Sequence, residues 1–418
     1  MAATLLLPLV DRVPVMAAPC RMHSSIDRIT ASLAEWTRGV GLDTPASAGF
    51  DRMAGRAFAG FGADSTLLFA KWLTWLFHFD DEWDEKPAGR AAGIVEATFA
   101  RLERQMAETE IPGDAPGTPP GRVEGRPPET TARDAPVRPE PARPAIPAPA
   151  PPESVMTASP GSVMTVLRGN SPPPRTTGPA RMESPSPAQV KITPSLRAGD
   201  VAPLRVRASA PASAGTAPVE VAFLDLWEAT APRMSPRWRE RFAGGVAAQG
   251  AACRTEAENR CAGRVPSAAE YPALRRGTAG PYLFDLVEPC LGVEVPAELR
   301  ESPTWRTLVD ACNDVTAWCN DVASHHKERA NGDVHNYVMV AARAFGLSDA
   351  DAVAWVNDRI AERAEDLRTA AMRLPGLFDR FGLSPAQARD ASKVACAFLG
   401  APRAQLEWLL ESSRYDVT

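Results

Sequence analysis

Apolar residues recur at three- and four-residue steps through nearly every segment of the chain, the period of a helix with one buried face. The segments are 32–42 (SLAEWTRGVGL), 65–85 (STLLFAKWLTWLFHFDDEWDE), 91–108, 221–230 (VAFLDLWEAT) and 235–264. Four more follow at 299–328, 335–347, 348–374 and 384–413. Ser348 with Asp351, and Ser384 with Gln387, read as N-terminal caps whose side chains satisfy free backbone N–H groups. No run alternates apolar and polar residues as a half-buried strand would, and no unit repeats. The pattern predicts an all-α protein.

The periodicity lapses between residues 111 and 218. Of the 41 prolines, 25 fall within 111–220, and that stretch contains no Phe, Trp or Tyr. Without apolar bulk, nothing offsets the entropy of ordering such a segment, so it reads as a disordered or loosely extended insertion. Removing 110 residues from 418 leaves 308, enough for one sizeable helical domain. Neither flank carries a full set of helices, so 1–110 and 219–418 are expected to be two parts of the same domain, packed together. The ends of the 111–218 insertion should then meet at a surface loop, where extra length costs little.

Charge narrows the function classes. The formal net charge is −5, and no Lys/Arg run or aromatic–basic interleaving suggests a nucleic-acid footprint. Seven cysteines without paired metal-type spacing read as small buried residues of a reduced, cytoplasmic protein. The early LLLPLV run is short, broken by Pro8 and not preceded by a basic region, so no signal peptide is expected. No apolar run approaches membrane-spanning length.

Two polar constellations interrupt the apolar faces. In CNDVASHHKER, Asn320, Ser324 and Glu328 follow at four-residue steps and drift only ~80° over eight residues, so they form one stripe. An amide oxygen, a hydroxyl and a carboxylate are hard oxygen donors that suit magnesium, and Lys327 beside them can neutralise an anion such as a phosphate. Upstream, the helix WLTWLFHFDDEWDE ends in Asp80, Asp81, Glu82, Asp84 and Glu85. Asp80 and Asp84 share a face, with Asp81 ~100° round the helix. So many carboxylates beside Leu73, Leu76 and Phe77 repel one another unless a cation intervenes, and at a helix C-terminus they also oppose the dipole. Two such sites on separate helices could clamp one polyanion.

The sequence resembles the class I terpene synthases, in particular the bacterial terpene cyclases. Asp80-Asp81-Glu82-Trp83-Asp84 matches their DDxxD motif, and Asn320 to Glu328 matches their ND(L/I/V)xSxxKE motif at every defined position. The C-terminal pair Arg414-Tyr415 is similar to their RY pair, and GDVHNYV after the second motif also looks like theirs. YPALRRGTAG resembles the segment carrying the family's diphosphate-sensing arginine; Arg275 lies 45 residues before Asn320 and is preferred, with Arg276, at 44, the fallback. The resemblance covers about residues 20–110 and 219–416, and the proline-rich insertion departs from it.

The resemblance implies a single helical bundle of the class I terpenoid synthase type. It also implies three Mg2+ ions holding the diphosphate of a linear prenyl substrate, with Asp80, Asp81 and Asp84 on one side and Asn320, Ser324 and Glu328 on the other. Arg275, Lys327, Arg414 and Tyr415 would donate to the diphosphate as its bond to carbon breaks. Phe77, Phe79, Phe284 and Trp408 are the aromatic candidates for a pocket that stabilises a carbocation, each equally readable as core packing. His325 and His326 fall at variable positions and read as surface or supporting residues. Farnesyl diphosphate and a sesquiterpene product are the family default, with ten- and twenty-carbon substrates open. A prenyl diphosphate synthase and a catalytically silent scaffold whose proline-rich segment meets a polyproline-binding partner are the alternatives; a homodimer also stays open.

Overall fold

A computed structural model describes residues 2–84, 91–111, 217–412 and 414, with the side chains of Ala2 and residues 82–84 excepted. The 112–216 stretch of the proline-rich insertion, the Asp84 side chain and Tyr415 therefore lie outside the described residues. Among those residues every regular element is helical. Helices of eight or more residues are α1 (Ile26–Val40), α2 (Phe50–Ala57), α3 (Ala63–Asp84), α4 (Ala92–Glu108), α5 (Pro218–Thr230) and α6 (Pro236–Ala262). They continue as α7 (Tyr271–Thr278), α8 (Pro303–Ala330), α9 (Tyr337–Phe345), α10 (Asp349–Arg380) and α11 (Pro385–Glu411).

The helix starts follow from side-chain chemistry. Ser302 caps α8 through a bond from the Trp305 N–H, Ser235 caps α6 through Trp238, and each is followed by proline, whose missing N–H is no loss there. Ser348 and Ser384 act as the spacing predicts, and Ser384 with Gln387 forms a reciprocal capping box. Two boundaries differ from the pattern. Residues 299–328 read as one helix, but the Ser302-Pro303 cap separates a short turn at Ala297–Arg300 from α8. Conversely, α10 runs past Pro375 to Arg380, because burial of Leu374 and Phe378 outweighs the backbone hydrogen bond that the proline forfeits.

Helices on both sides of the proline-rich insertion share one core. The indole of Trp75 on α3 donates to the Val219 carbonyl on α5 (2.9 Å), Trp72 to Thr230 (3.1 Å), and Trp36 on α1 to Asp225 (2.7 Å). Arg101 on α4 pairs with Glu220 on α5 at 2.6 Å. Around these bonds Trp72, Trp75, Phe223, Phe242 and Trp238 interlock edge-on and stacked, all fully buried. The α4–α6 crossing is close enough that only glycine fits at position 250, where a Cβ would stand 2.7 Å from Phe99 Cγ. In the LLLPLV run Leu6 and Leu9 are fully buried, and Asn357 on α10 holds the Leu5 carbonyl. Cys290, Cys312 and Cys319 are buried as expected, whereas Cys261 and Cys396 are exposed; none is bridged among the described residues.

Candidate active site

The polar stripe predicted on α8 is present, and it opens onto a cavity. Asn320, Ser324, Lys327 and Glu328 line one wall and Asp80 and Asp81 of α3 another; Arg275 of α7 and Arg414 also line it, as do Glu256 and Arg260 of α6 with Asp333 and His335. Its free volume of about 80 Å3 is small beside the ~300–1,000 Å3 of sites that take a whole small molecule, so in this conformation it suits the polar end of a ligand. Ser324 is almost fully buried and its Oγ donates to the Asn320 carbonyl at 2.9 Å. The Glu328 carboxylate accepts from the Asn336 amide at 2.8 Å.

Asp81 faces Arg414 in a two-pronged pair, Nη1 to Oδ2 at 2.9 Å and Nη2 to Oδ1, and the Arg414 guanidinium lies 5.0 Å over the Phe77 ring. The arginine near the C-terminus is thus tied to the acidic motif, more than three hundred residues away in sequence. Asp80 points to the same cavity.

Successive residues of α7 point different ways, and this separates the two candidate sensors. Arg275 lines the cavity, donating Nε to Asp321 Oδ1 at 2.8 Å and Nη2 to Asn320 Oδ1 at 3.1 Å. Arg276 does not line it; it forks onto Asp314 at 2.8 and 2.6 Å, with Arg363 on the same carboxylate. Asp321, absent from the predicted site, is the pivot: 1% exposed, it accepts from Arg275, the Tyr271 hydroxyl (2.8 Å) and the Tyr337 N–H (3.1 Å). Burial pushes its carboxyl up against the pull of those donors. Burial is the largest influence on Arg275 and opposes its charge, but Asp321, Tyr271, Glu328 and Asp80 together outweigh it and raise the guanidinium. The signal that could have found Asp321 is a carboxylate beside Asn320, turned to the apolar face of α8, where it needs a buried cation.

The aromatic candidates divide. Phe79 lines the cavity, stacked on Trp75 (4.9 Å) and edge-on to Phe99 (5.2 Å). Phe77 sits beneath Arg414, stacked on Phe50 at 4.7 Å. Phe284 packs edge-on to Phe398, and Trp408 is buried with its indole bonded to the Ala48 carbonyl; neither lines the cavity. His326 is exposed, but His325 is buried, bonded to the Val322 carbonyl, and burial lowers its pKa.

The donor chemistry fits a hard divalent cation. Two groups of oxygen donors converge across the cavity, and cationic side chains stand round the same space, an arrangement compatible with metal ions and a polyanion. A second cluster, Glu256, Asp333 and His335, also brings ligand atoms within 4.8 Å of one another. Arg260 already bridges its carboxylates, to Glu256 at 2.9 Å and Asp333 at 2.8 Å.

Comparison with known proteins agrees with this geometry. The family described as Terpene synthase family 2, C-terminal metal binding, matches residues 197–366, which contain the whole α8 stripe and Arg275. Over residues 197–366 the chain is similar to the terpene synthases. Pristinol synthase of Streptomyces pristinaespiralis is 30% identical over 209 residues, 50% of this chain and 56% of that protein. The (-)-delta-cadinene synthase of Streptomyces clavuligerus is 32% identical, covering 44% and 56%, and sesquiterpene synthase 3 of Postia placenta is 32% identical, covering 32% and 36%. The chain thus spans about a third to just over half the length of these relatives. Germacradien-4-ol synthase from Streptomyces citricolor shares the terpene synthase fold with a TM-score of 0.62 at 21% identity, over 96% of this chain and 98% of that one. Among the described residues no helix is long and apolar enough to cross a membrane.

Proposed function

We propose that this protein is a magnesium-dependent terpene cyclase that ionises a linear prenyl diphosphate, farnesyl diphosphate by preference, and releases inorganic diphosphate. The single observation that carries the reading is convergence: Asp80 and Asp81 from α3 and Asn320, Ser324 and Glu328 from α8 meet Arg275, Lys327 and Arg414 in one cavity. Asp80, Asp81 and Asp84 would hold ions on one side, and Asn320, Ser324 and Glu328 on the other. Three magnesium ions, when bound, supply Lewis-acid neutralisation of the diphosphate charge.

The chain's own groups do the rest. Arg275 has five N–H donors, two of them engaged with Asp321 and Asn320, so the same guanidinium can also meet a diphosphate oxygen in the cavity. Lys327, Arg414 and Tyr415 add donors whose bonds strengthen as negative charge develops on the leaving group. Phe79 at the cavity wall, with Phe77 beneath Arg414, would shield the allylic cation from water and stabilise its charge through their faces, whereas Phe284 and Trp408 stand off the cavity and have no such role. Names of relatives, among them sesquiterpene synthase 3 and pristinol synthase, support the terpene product class, and a related fold was solved with 2-fluorogeranyl diphosphate. A prenyl diphosphate synthase would carry a second aspartate-rich motif in place of the Asn/Ser/Glu stripe, which argues against that alternative. We place the enzyme in the cytoplasm, where its charged substrate is soluble.

The test is incubation with geranyl, farnesyl and geranylgeranyl diphosphates, with and without Mg2+, reading inorganic diphosphate and volatile products by mass spectrometry. Magnesium-dependent release with cyclic volatiles is expected. No diphosphate release from any of the three would end the proposal.

A further inference from the structure

The turn between α8 and α9 is tied down more firmly than a surface connection requires. Asp333 Oδ1 accepts the N–H groups of Val334 (2.7 Å) and His335 (3.0 Å), while its Oδ2 takes Arg260 from α6 at 2.8 Å. The Tyr271 hydroxyl stands 3.0 Å from the His335 carbonyl, and the Tyr337 N–H reaches Asp321 at 3.1 Å. Everything held here flanks Asn336, which is completely buried.

The Asn336 side chain makes three bonds. Its Oδ1 accepts from the Val338 N–H (2.9 Å), capping α9. Its Nδ2 donates to the Asp321 carbonyl (2.7 Å) and to Glu328 Oε2 (2.8 Å). A buried amide therefore spans the start of one helix and the last ligand of the α8 stripe, orienting a carboxylate on a side chain with three rotatable bonds. We infer that Asn336 is a positioning residue for the Glu328 carboxylate, with the Arg260–Asp333 pair holding Asn336 in reach. The inference rests on the reading of Glu328 as a cation ligand.

A purely structural Asn336 would serve only as the cap of α9, and serine or aspartate would replace it, since both cap as well as asparagine. Neither can donate an amide hydrogen to Glu328. The experiment titrates the full-length protein with Mn2+ in the presence of inorganic diphosphate, following free Mn2+ by electron paramagnetic resonance, for wild type, Asn336→Ser, Asn336→Asp and Glu328→Gln. Groups that orient metal ligands typically carry ~10–100-fold of affinity, and a loss of that size is expected in both Asn336 variants even where thermal melting without metal is unchanged. Wild-type Mn2+ affinity in both, with Glu328→Gln weakened, overturns the inference alone. Wild-type affinity in Glu328→Gln removes the ligand reading and the inference with it. Asn336→Ser adds no charge, so it keeps the test open should Asn336→Asp fail to fold.

Discussion

Replacing Arg275 and Arg276 by alanine, one at a time, separates two neighbours that α7 sends to different places. Arg276 forks onto Asp314, itself 1% exposed, but Asp314 keeps Arg363 at 2.7 Å when Arg276 is gone. A carboxylate that retains one charged partner loses a share of its bonding, worth ~1–3 kcal/mol of stability, and nothing at the cavity changes. Arg275 differs on both counts. Its removal leaves Asp321, also 1% exposed, with the Tyr271 hydroxyl and the Tyr337 N–H but no cation, a break in a buried pair that costs ~3–5 kcal/mol. On the proposed function it also deletes donors to the developing charge, an expected loss of ~10²–10³ in turnover. Urea denaturation gives the first quantity. Diphosphate release, measured at a temperature where circular dichroism shows each variant folded, gives the second. Near-wild-type turnover is expected for Arg276→Ala and a collapse for Arg275→Ala. The reverse order, with Arg276→Ala inactive and folded, would show that α7 is rotated from the position described and would refute the assignment.

Phe79→Leu should alter the product mixture while Phe284→Leu leaves it unchanged, because only the first side chain lines the cavity; gas chromatography of the volatiles decides. Gly250→Ala should destabilise the protein by ~1–3 kcal/mol in thermal melts, since the new Cβ overlaps Phe99 across the α4–α6 contact. Burial alone would raise the Asp333 carboxyl, but bonds from His335 and Arg260 hold it well below its ordinary value. A depressed carboxyl contributes stability that is fully present above the ordinary pKa and is lost as pH falls. The stability gap between wild type and Asp333→Asn should therefore be equal at pH 7 and pH 5 and narrow below about pH 4; a gap already closed at pH 5 contradicts that assignment.

The helices and the α8 stripe were legible because both depend on a local period: four-residue steps place Asn320, Ser324 and Glu328 on one side of any helix, whatever packs against it. The Ser384 and Ser348 caps were legible for the same reason, each bond spanning three residues. The acidic motif was visible as unfavourable charge at a helix end. Asn336 escaped notice, although an asparagine directly before the apolar run YVMV is a cap signal, because its second bond goes to a side chain on the preceding helix. The 348–374 segment stops short of the observed end at Arg380, since local propensity cannot register the burial of Leu374 and Phe378 that carries the helix past Pro375.

What the sequence by itself determined is therefore the helical character of the chain and the shared face of Asn320, Ser324 and Glu328 along α8, both set by bonds and angles within a few residues. Which of two adjacent arginines meets the cavity was left to the tertiary structure. Arg275 and Arg276 differ by ~100° about one short helix, and the choice rests on where Asp321 and Asp314, some forty residues further on, are buried. The union of Asp81 with Arg414 across 333 residues, and the exclusion of Phe284 and Trp408 from the cavity, were likewise decided only when the helices packed. Period and spacing repeat along a chain, but the direction a side chain faces in space is fixed by its partners.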